Sequence, residues 1–240
     1  MKINPYKSLF LMSSAIHVKH GIYSTEERIS QTLETCKSIF LTIPNATIYV
    51  LDGGYKKINF KEETIFNKLI KNFYCFSDDQ NIIRAQNIPN HDIVKNFIEI
   101  YMFSKFLKEN HQQLKNNYQR IFKISGRYRI NSLFDLEKHI NAINKIVIHG
   151  PYQSQFPNKI TGGCAFQYMS RLWSFDSILT PYISTCFDRM LEDIVSRINL
   201  GGYIDIEHLL FKHLDSNLIE QVKIIGIEGN IAPNGFAVSE

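Results

Sequence analysis

No stretch of this sequence approaches the ~18 uninterrupted apolar residues of a membrane-spanning helix, so none is predicted. The start, MKINPYKSLFLMSSAIHVKH, makes a poor secretion signal: the apolar run of residues 9–12 is too short, and the residues after it read better as a strand. The four cysteines, Cys36, Cys75, Cys164 and Cys186, form no CxxC pair. Each sits in an apolar run, so reduced, buried thiols and a cytoplasmic location are expected. The eight histidines show no HxH or HExxH spacing, which argues against zinc. Neither GxSxG nor a Walker A loop is present, which argues against a serine hydrolase or a P-loop enzyme. Excess charge of one sign is also small: 27 basic against 23 acidic residues leave +4. That balance does not demand nucleic acid, although it tolerates an anionic ligand. Internal repeats, heptads and low-complexity segments are missing as well.

What remains has ordinary globular proportions, with 44% hydrophobic and 21% charged residues over a length of 240 that suits one large domain. Residues 8–16 read as a first buried strand, and 17–23 as a loop. Ser24, with Glu27 three residues on, makes a capping box. Ile29, Leu33, Cys36, Ile39, Phe40 and Ile43 then recur on one helical face until Pro44-Asn45 stops the helix. Residues 46–51 (ATIYVL) make a buried parallel strand, closed by Asp52-Gly53-Gly54. This is a β–α–β opening, and in such sheets ligands bind beyond the carboxyl ends of the strands.

Further along, a short helix is expected over 60–70, a strand over 72–76 and a polar loop over 77–89. A helix capped by Asn90 or Asp92 runs to about residue 110, and a polar link covers 111–119. After the central segment come a helix over 133–143, a strand over 145–149 and a loop over 150–163 long enough to act as a flexible wall. Residues 164–175 read as an aromatic strand. A helix begins at Thr180-Pro181 and ends at Gly201-Gly202, and a second covers 204–214. Residues 222–227 (VKIIGI) read as the last strand. The whole is a single mixed α/β domain over residues 1–240, its mainly parallel sheet flanked by helices.

The rest is organised around residues 120–131, RIFKISGRYRIN. A buried strand (Ile121, Phe122, Ile124) reaches Gly126 and then presents Arg127, Tyr128 and Arg129, with Lys123 just upstream. A glycine lets a ligand approach the backbone, and guanidinium groups hold phosphate by paired hydrogen bonds. If the strand continues, Arg127 and Arg129 share a face. If the chain turns at Gly126, only one reaches the anion, and Arg127 is favoured.

The opening half resembles the GT-A-type nucleotide-sugar glycosyltransferases, of the kind found in capsule and lipopolysaccharide synthesis and in phage or giant viruses. The resemblance rests on the order of ISQTLETCKSI, IYVLDGG and KISGRYR over roughly the first 130 residues. It implies a Rossmann-like domain whose first half, about 1–130, binds the donor nucleotide and whose second half, about 131–240, binds a glycan or glycoconjugate acceptor. It also implies that Asp52 contacts the nucleoside. The family's DxD metal motif should fall at IFKISGRY, where no acidic pair stands. A divalent cation normally stabilises the leaving diphosphate; fixed cations can do the same work. A metal-independent transferase without cofactor is therefore expected, with Lys123, Arg127 and Arg129 at the diphosphate and Lys95 behind them. Were metal required, Asp78-Asp79 or Asp205 with Glu207 would be the ligand candidates.

An inverting transfer needs a carboxylate to take the acceptor's proton. In GGYIDIEH, paired glycines place Asp205 and Glu207 near a helix start, so Glu207 is the first choice of base, Asp205 the second and His208 the third. Both acids also suit plain helix capping. Glu192 and Asp193 read as a solvated helix face. Trp173, the sole tryptophan, with Arg171 beside it, is the candidate acceptor platform, although a lone tryptophan in an apolar strand also suits a core. Two other functions fit the scaffold less well. A nucleotidyltransferase would need metal-binding acids near a glycine-rich loop, and HVKHGIY is glycine-poor. A non-enzymatic nucleotide- or nucleic-acid-binding module would use the basic strand end with Tyr128 as a stacking residue, but a modest charge without a basic stripe disfavours it.

Overall fold

The computed structural model describes residues 7–231 and 235–240, so the first six residues of the signal-like start lie outside the described residues. In chain order the elements are β1 (Ser8–Ser14), α1 (Thr25–Thr42), β2 (Thr47–Asp52), α2 (Phe60–Phe66), β3 (Asn72–Cys75), α3 (Gln80–Ala85), α4 (His91–Asn117), β4 (Arg120–Ser125) and β5 (Tyr128–Ile130). They continue with α5 (Leu136–Asn141), β6 (Ile146–Gln153), β7 (Phe166–Asp176), α6 (Thr180–Asn199), α7 (Ile206–His213), β8 (Ile219–Val222), β9 (Ile227–Asn230) and β10 (Ala237–Ser239).

The uninterrupted apolar runs become the buried centre of the main sheet, whose order is β3-β2-β1-β4-β7-β6-β8. β3, β2, β1 and β4 are parallel; β7 runs antiparallel between β4 and β6, and β8 lies parallel to β6. The sheet is therefore mixed and mainly parallel, as expected. One face packs on α4, α6 and α7 through Ile100, Phe103, Phe187 and Leu209. The other packs on α1 through Cys36 and Ile39 and on a small antiparallel sheet, β10-β9-β5. α1 starts at the expected box: Glu27 N donates to Ser24 Oγ at 3.2 Å, and Ser24 N to Glu27 Oε2 at 2.7 Å.

The structure departs from the sequence reading in several places. The polar stretch after residue 110 continues α4 to Asn117, because it contains good helix formers, no Gly or Pro, and one buried anchor, Leu114. Within the loop expected over 77–89, Asp79 caps α3, which buries Ile82 and Ala85. The apolar run 222–227 is not one strand. Val222 ends β8, Gly226 turns at φ +83°, and Ile227 starts β9. Finally, two of the four thiols expected to be buried, Cys75 and Cys164, are half-exposed, although all four are free.

A Cβ on Gly226 would stand 2.2 Å from Phe134 Cα, in a backbone conformation that L side chains avoid. Gly226→Ala should therefore cost about 2 kcal/mol or more, read as a lower urea midpoint. An unchanged midpoint would show that this turn does not fix the β8–β9 connection.

Candidate active site

β1 has β2 on one side and β4 on the other, both parallel to it, so the crevice beyond their carboxyl ends is open to the connecting loops. Alternation along β4 puts Lys123 and Ser125 on the face covered by α4 and α7. Lys123 is 1% exposed, and its ammonium finds three partners: Glu99 Oε1 at 2.7 Å, Ser125 Oγ at 2.8 Å and the Ser170 carbonyl at 2.7 Å. Ser13, at the end of β1, donates to the same Glu99 oxygen at 2.8 Å. Burial works to raise the Glu99 carboxyl. The Lys123 charge and hydrogen bond, the Ser13 hydroxyl and Arg127 outweigh it and hold the group below the usual range.

Ser170, on β7, joins this network to α7, since its hydroxyl donates to Glu207 Oε1 at 2.5 Å. Burial, then the charge of Asp205, then that of Glu99 push the Glu207 carboxyl up to about 7, against the Ser170 hydrogen bond. A carboxylate of that basicity suits general-base work near neutral pH. Asp205 is otherwise engaged. It caps α7 by accepting from His208 N at 3.0 Å, and its Oδ1 also meets His208 Nδ1 at 2.5 Å.

The chain does turn at Gly126-Arg127, and the turn separates the two arginines. Arg127 stays half-exposed beside Glu99. Arg129 goes to the outer side of the small sheet, where it pairs with Glu228 at 2.8 Å, so it does not reach the crevice. Gly126 also plays a different part from the one expected. A Cβ there would press on Met12 Sδ, Ser13 O and Thr32 Oγ1 at 3.3–3.4 Å, so the glycine allows β4 to close on β1 and α1. Lys95 is exposed and pairs with Asp92 at 2.6 Å, apart from the Lys123 network.

Asp52 lies at the expected strand end but is fully buried. Its oxygens accept from Ile16 N at 2.8 Å and Gly54 N at 3.0 Å, so it ties two loops together instead of offering a carboxylate to a nucleoside. Trp173 is 1% exposed and packs on Phe175 and Phe187 under α6. The tryptophan is core and no acceptor platform. Arg171 points to the opposite face, where it lies over the Tyr128 ring and pairs with Glu240.

Two groups escaped the sequence reading. Glu99 is an acid inside the apolar run FIEIYMF, and that interruption was its only signal. Arg28, in the first turn of α1, is 8% exposed; it donates to the Ala15 carbonyl at 3.1 Å, but its buried Nε has no hydrogen-bond partner. Burial and then the neighbouring Arg127 charge pull its pKa down. Two adjacent guanidiniums, one with a spare buried donor, make a place for an anion.

No acidic pair stands at the end of β4. Ser125, Gly126 and Arg127 occupy the strand end, and the Glu99 carboxylate beside it is paired with Lys123. Among the described residues no three His, Cys, Asp or Glu side chains gather as metal ligands. The fallback acids are also engaged: Asp78 pairs with Lys57, and Asp79 with Lys105 at 2.7 Å. A cavity of about 590 Å³ lies elsewhere, beside β3, between Tyr74, Phe76, Asp79 and Lys105.

Lys123→Met should strand the Glu99 charge and cost about 3 kcal/mol, with most of it regained in Lys123→Met/Glu99→Gln. Equal urea stabilities of the single and double variants would contradict the pairing. Glu207 gives a second expectation. Its folded pKa lies above the unfolded value near 4.3, so its contribution is complete below about pH 4 and is lost as pH rises through about 7. Glu207→Gln should remove that loss and gain about 2 kcal/mol over wild type at pH 8. Parallel stability–pH profiles of the two proteins would refute it.

No protein-family model matches the sequence, and no curated protein matches it. Solved structures do. The galactosyltransferase LgtC, solved with donor and acceptor sugar analogues, aligns with 89% of this chain and 73% of its own at 10% identity, TM-score 0.55. Core-mannan synthase A from Aspergillus fumigatus, in its Mn/GDP form, aligns with 95% of this chain and 76% of its own at 11% identity, TM-score 0.55. No helix among the described residues is long and apolar enough to cross a membrane. The chain thus has the GT-A fold of the glycosyltransferases.

Proposed function

We propose that this protein transfers a sugar from a nucleotide-sugar donor to a glycan or glycoconjugate acceptor, with fixed cations in place of a metal. The observation that carries the reading is the ion pair of buried Lys123 with half-buried Glu99. It stands where the β4 strand end turns into Arg127, and Ser170 links it to Glu207.

The roles follow from the geometry. All three Lys123 donors are used internally and Glu99 balances its charge, so the pair holds the turn in place, and direct contact with the diphosphate falls to Arg127 and the spare Nε of Arg28. Negative charge that builds on the diphosphate as the C1–O bond breaks meets this positive field with no reorganisation. Glu207 takes the acceptor hydroxyl proton through the carboxylate oxygen that Ser170 leaves free. The acceptor oxygen bonds to C1, and the bonding pair of the old C1–O bond leaves on the diphosphate. Asp52 shapes the loop after β1 around the nucleotide and does not touch it.

Melting curves with UDP, GDP, CDP and dTDP, each with and without EDTA, test the donor half of this reading. One nucleotide should raise the melting temperature equally with and without chelator, by mass action on the folded state. Arg127→Ala and Arg28→Ala should each weaken its binding about tenfold or more. A shift that needs metal, or no shift with any nucleotide, would overturn it.

A further inference from the structure

Beyond Glu207, the same end of the sheet carries an unusual hydrogen-bond chain. Asp205 Oδ1 meets His208 Nδ1, and His208 Nε2 lies 2.8 Å from Ser154 Oγ, in the loop after β6. The order Asp–His–Ser matches that of a hydrolytic triad. The serine is not free to act as a nucleophile, however, because its oxygen accepts from Phe156 N at 3.0 Å and lies 2.9 Å from the Phe156 carbonyl. His208 is fully buried. The chain therefore serves to fix Phe156.

Phe156 is 40% exposed, yet it is held by this buried chain and by its neighbours. Its ring lies 5.4 Å from that of Tyr203 and 6.1 Å from that of His208, centroid to centroid. Tyr203 is in turn set by Asn96 Nδ2 and Asp205 Oδ2, each 3.5 Å from its hydroxyl. Burial and then the charges of Asp205, Glu207 and Asp92 push that hydroxyl up, so it faces the carboxylates at the start of α7. An apolar ring kept partly in solvent, packed on Tyr203 and on His208 of the helix that carries Glu207, has the chemistry of a surface for the C–H face of a pyranose.

We propose that Phe156, backed by Tyr203, is the face on which the acceptor sugar rests, and that Asp205, His208 and Ser154 are positioning residues that hold it beside Glu207. This rests on the transferase reading and supplies the acceptor surface that the buried Trp173 does not.

Saturation-transfer NMR with methyl β-D-galactopyranoside, methyl β-D-glucopyranoside and methyl α-D-mannopyranoside, each with and without UDP or GDP, tests it on the full chain. At least one glycoside should receive saturation on its ring C–H protons. Phe156→Ala should weaken that binding about fivefold or more, and Phe156→Trp should retain it. Ser154→Ala should weaken it less, about threefold, with nucleotide affinity unchanged. Glycoside binding that Phe156→Ala leaves intact, or no saturation of any glycoside by wild type, overturns the proposal. If nucleotides bind while Phe156→Ala has no effect, only the platform fails. If glycosides bind through Phe156 while no nucleotide binds, the platform stands and the transferase reading fails.

Discussion

The ion pair between Lys123 and Glu99 is the constraint on which the rest of this site depends. An ammonium that is 1% exposed at the end of a central strand would be costly without a carboxylate. The partner comes from the middle of α4, so the pair fixes that helix against β4. Ser13 and Ser125 complete the cradle from β1 and β4, and Ser170 passes it on to Glu207. One ion pair thus coordinates five elements: the strands β1 and β4, the long helix α4, the antiparallel strand β7 and the helix α7 that bears Glu207.

The same pair sets the electrostatics of the crevice. Glu99 is held charged, so the net field it leaves with Lys123 is small, and the further positive charge comes from Arg127 and Arg28. On the far side, burial and then the Asp205 charge keep Glu207 basic. In the proposed reaction the cationic side of the crevice would meet the diphosphate and the basic side the acceptor hydroxyl.

Much of this was legible in the residues themselves. The β–α–β opening, the box at Ser24 and Glu27, the turn at Gly126 and the place of Lys123 rest on local patterns, because apolar runs and capping chemistry act over a few residues. The features that escaped depend on contacts distant in sequence. Arg129 and Glu228 are 99 residues apart, and only their pairing shows that the arginine leaves the crevice. Trp173 is a candidate platform, although a lone tryptophan in an apolar strand is more often core, until α6 covers it. Glu99 looks like a stray acid on an apolar helix until Lys123 arrives opposite. The run VKIIGI reads as one strand because nothing local reveals that Phe134 sits against Gly226.

The most direct test of the central claim, that fixed cations replace a metal and Glu207 is the base, is nucleoside diphosphate release from a panel of nucleotide sugars, followed against pH with EDTA or with added Mn²⁺. The account predicts release that EDTA leaves unchanged, that rises as pH passes through about 7, and that Glu207→Gln reduces by about a hundredfold or more. Release that requires Mn²⁺ and stops with EDTA, or that Glu207→Gln leaves intact, would contradict it.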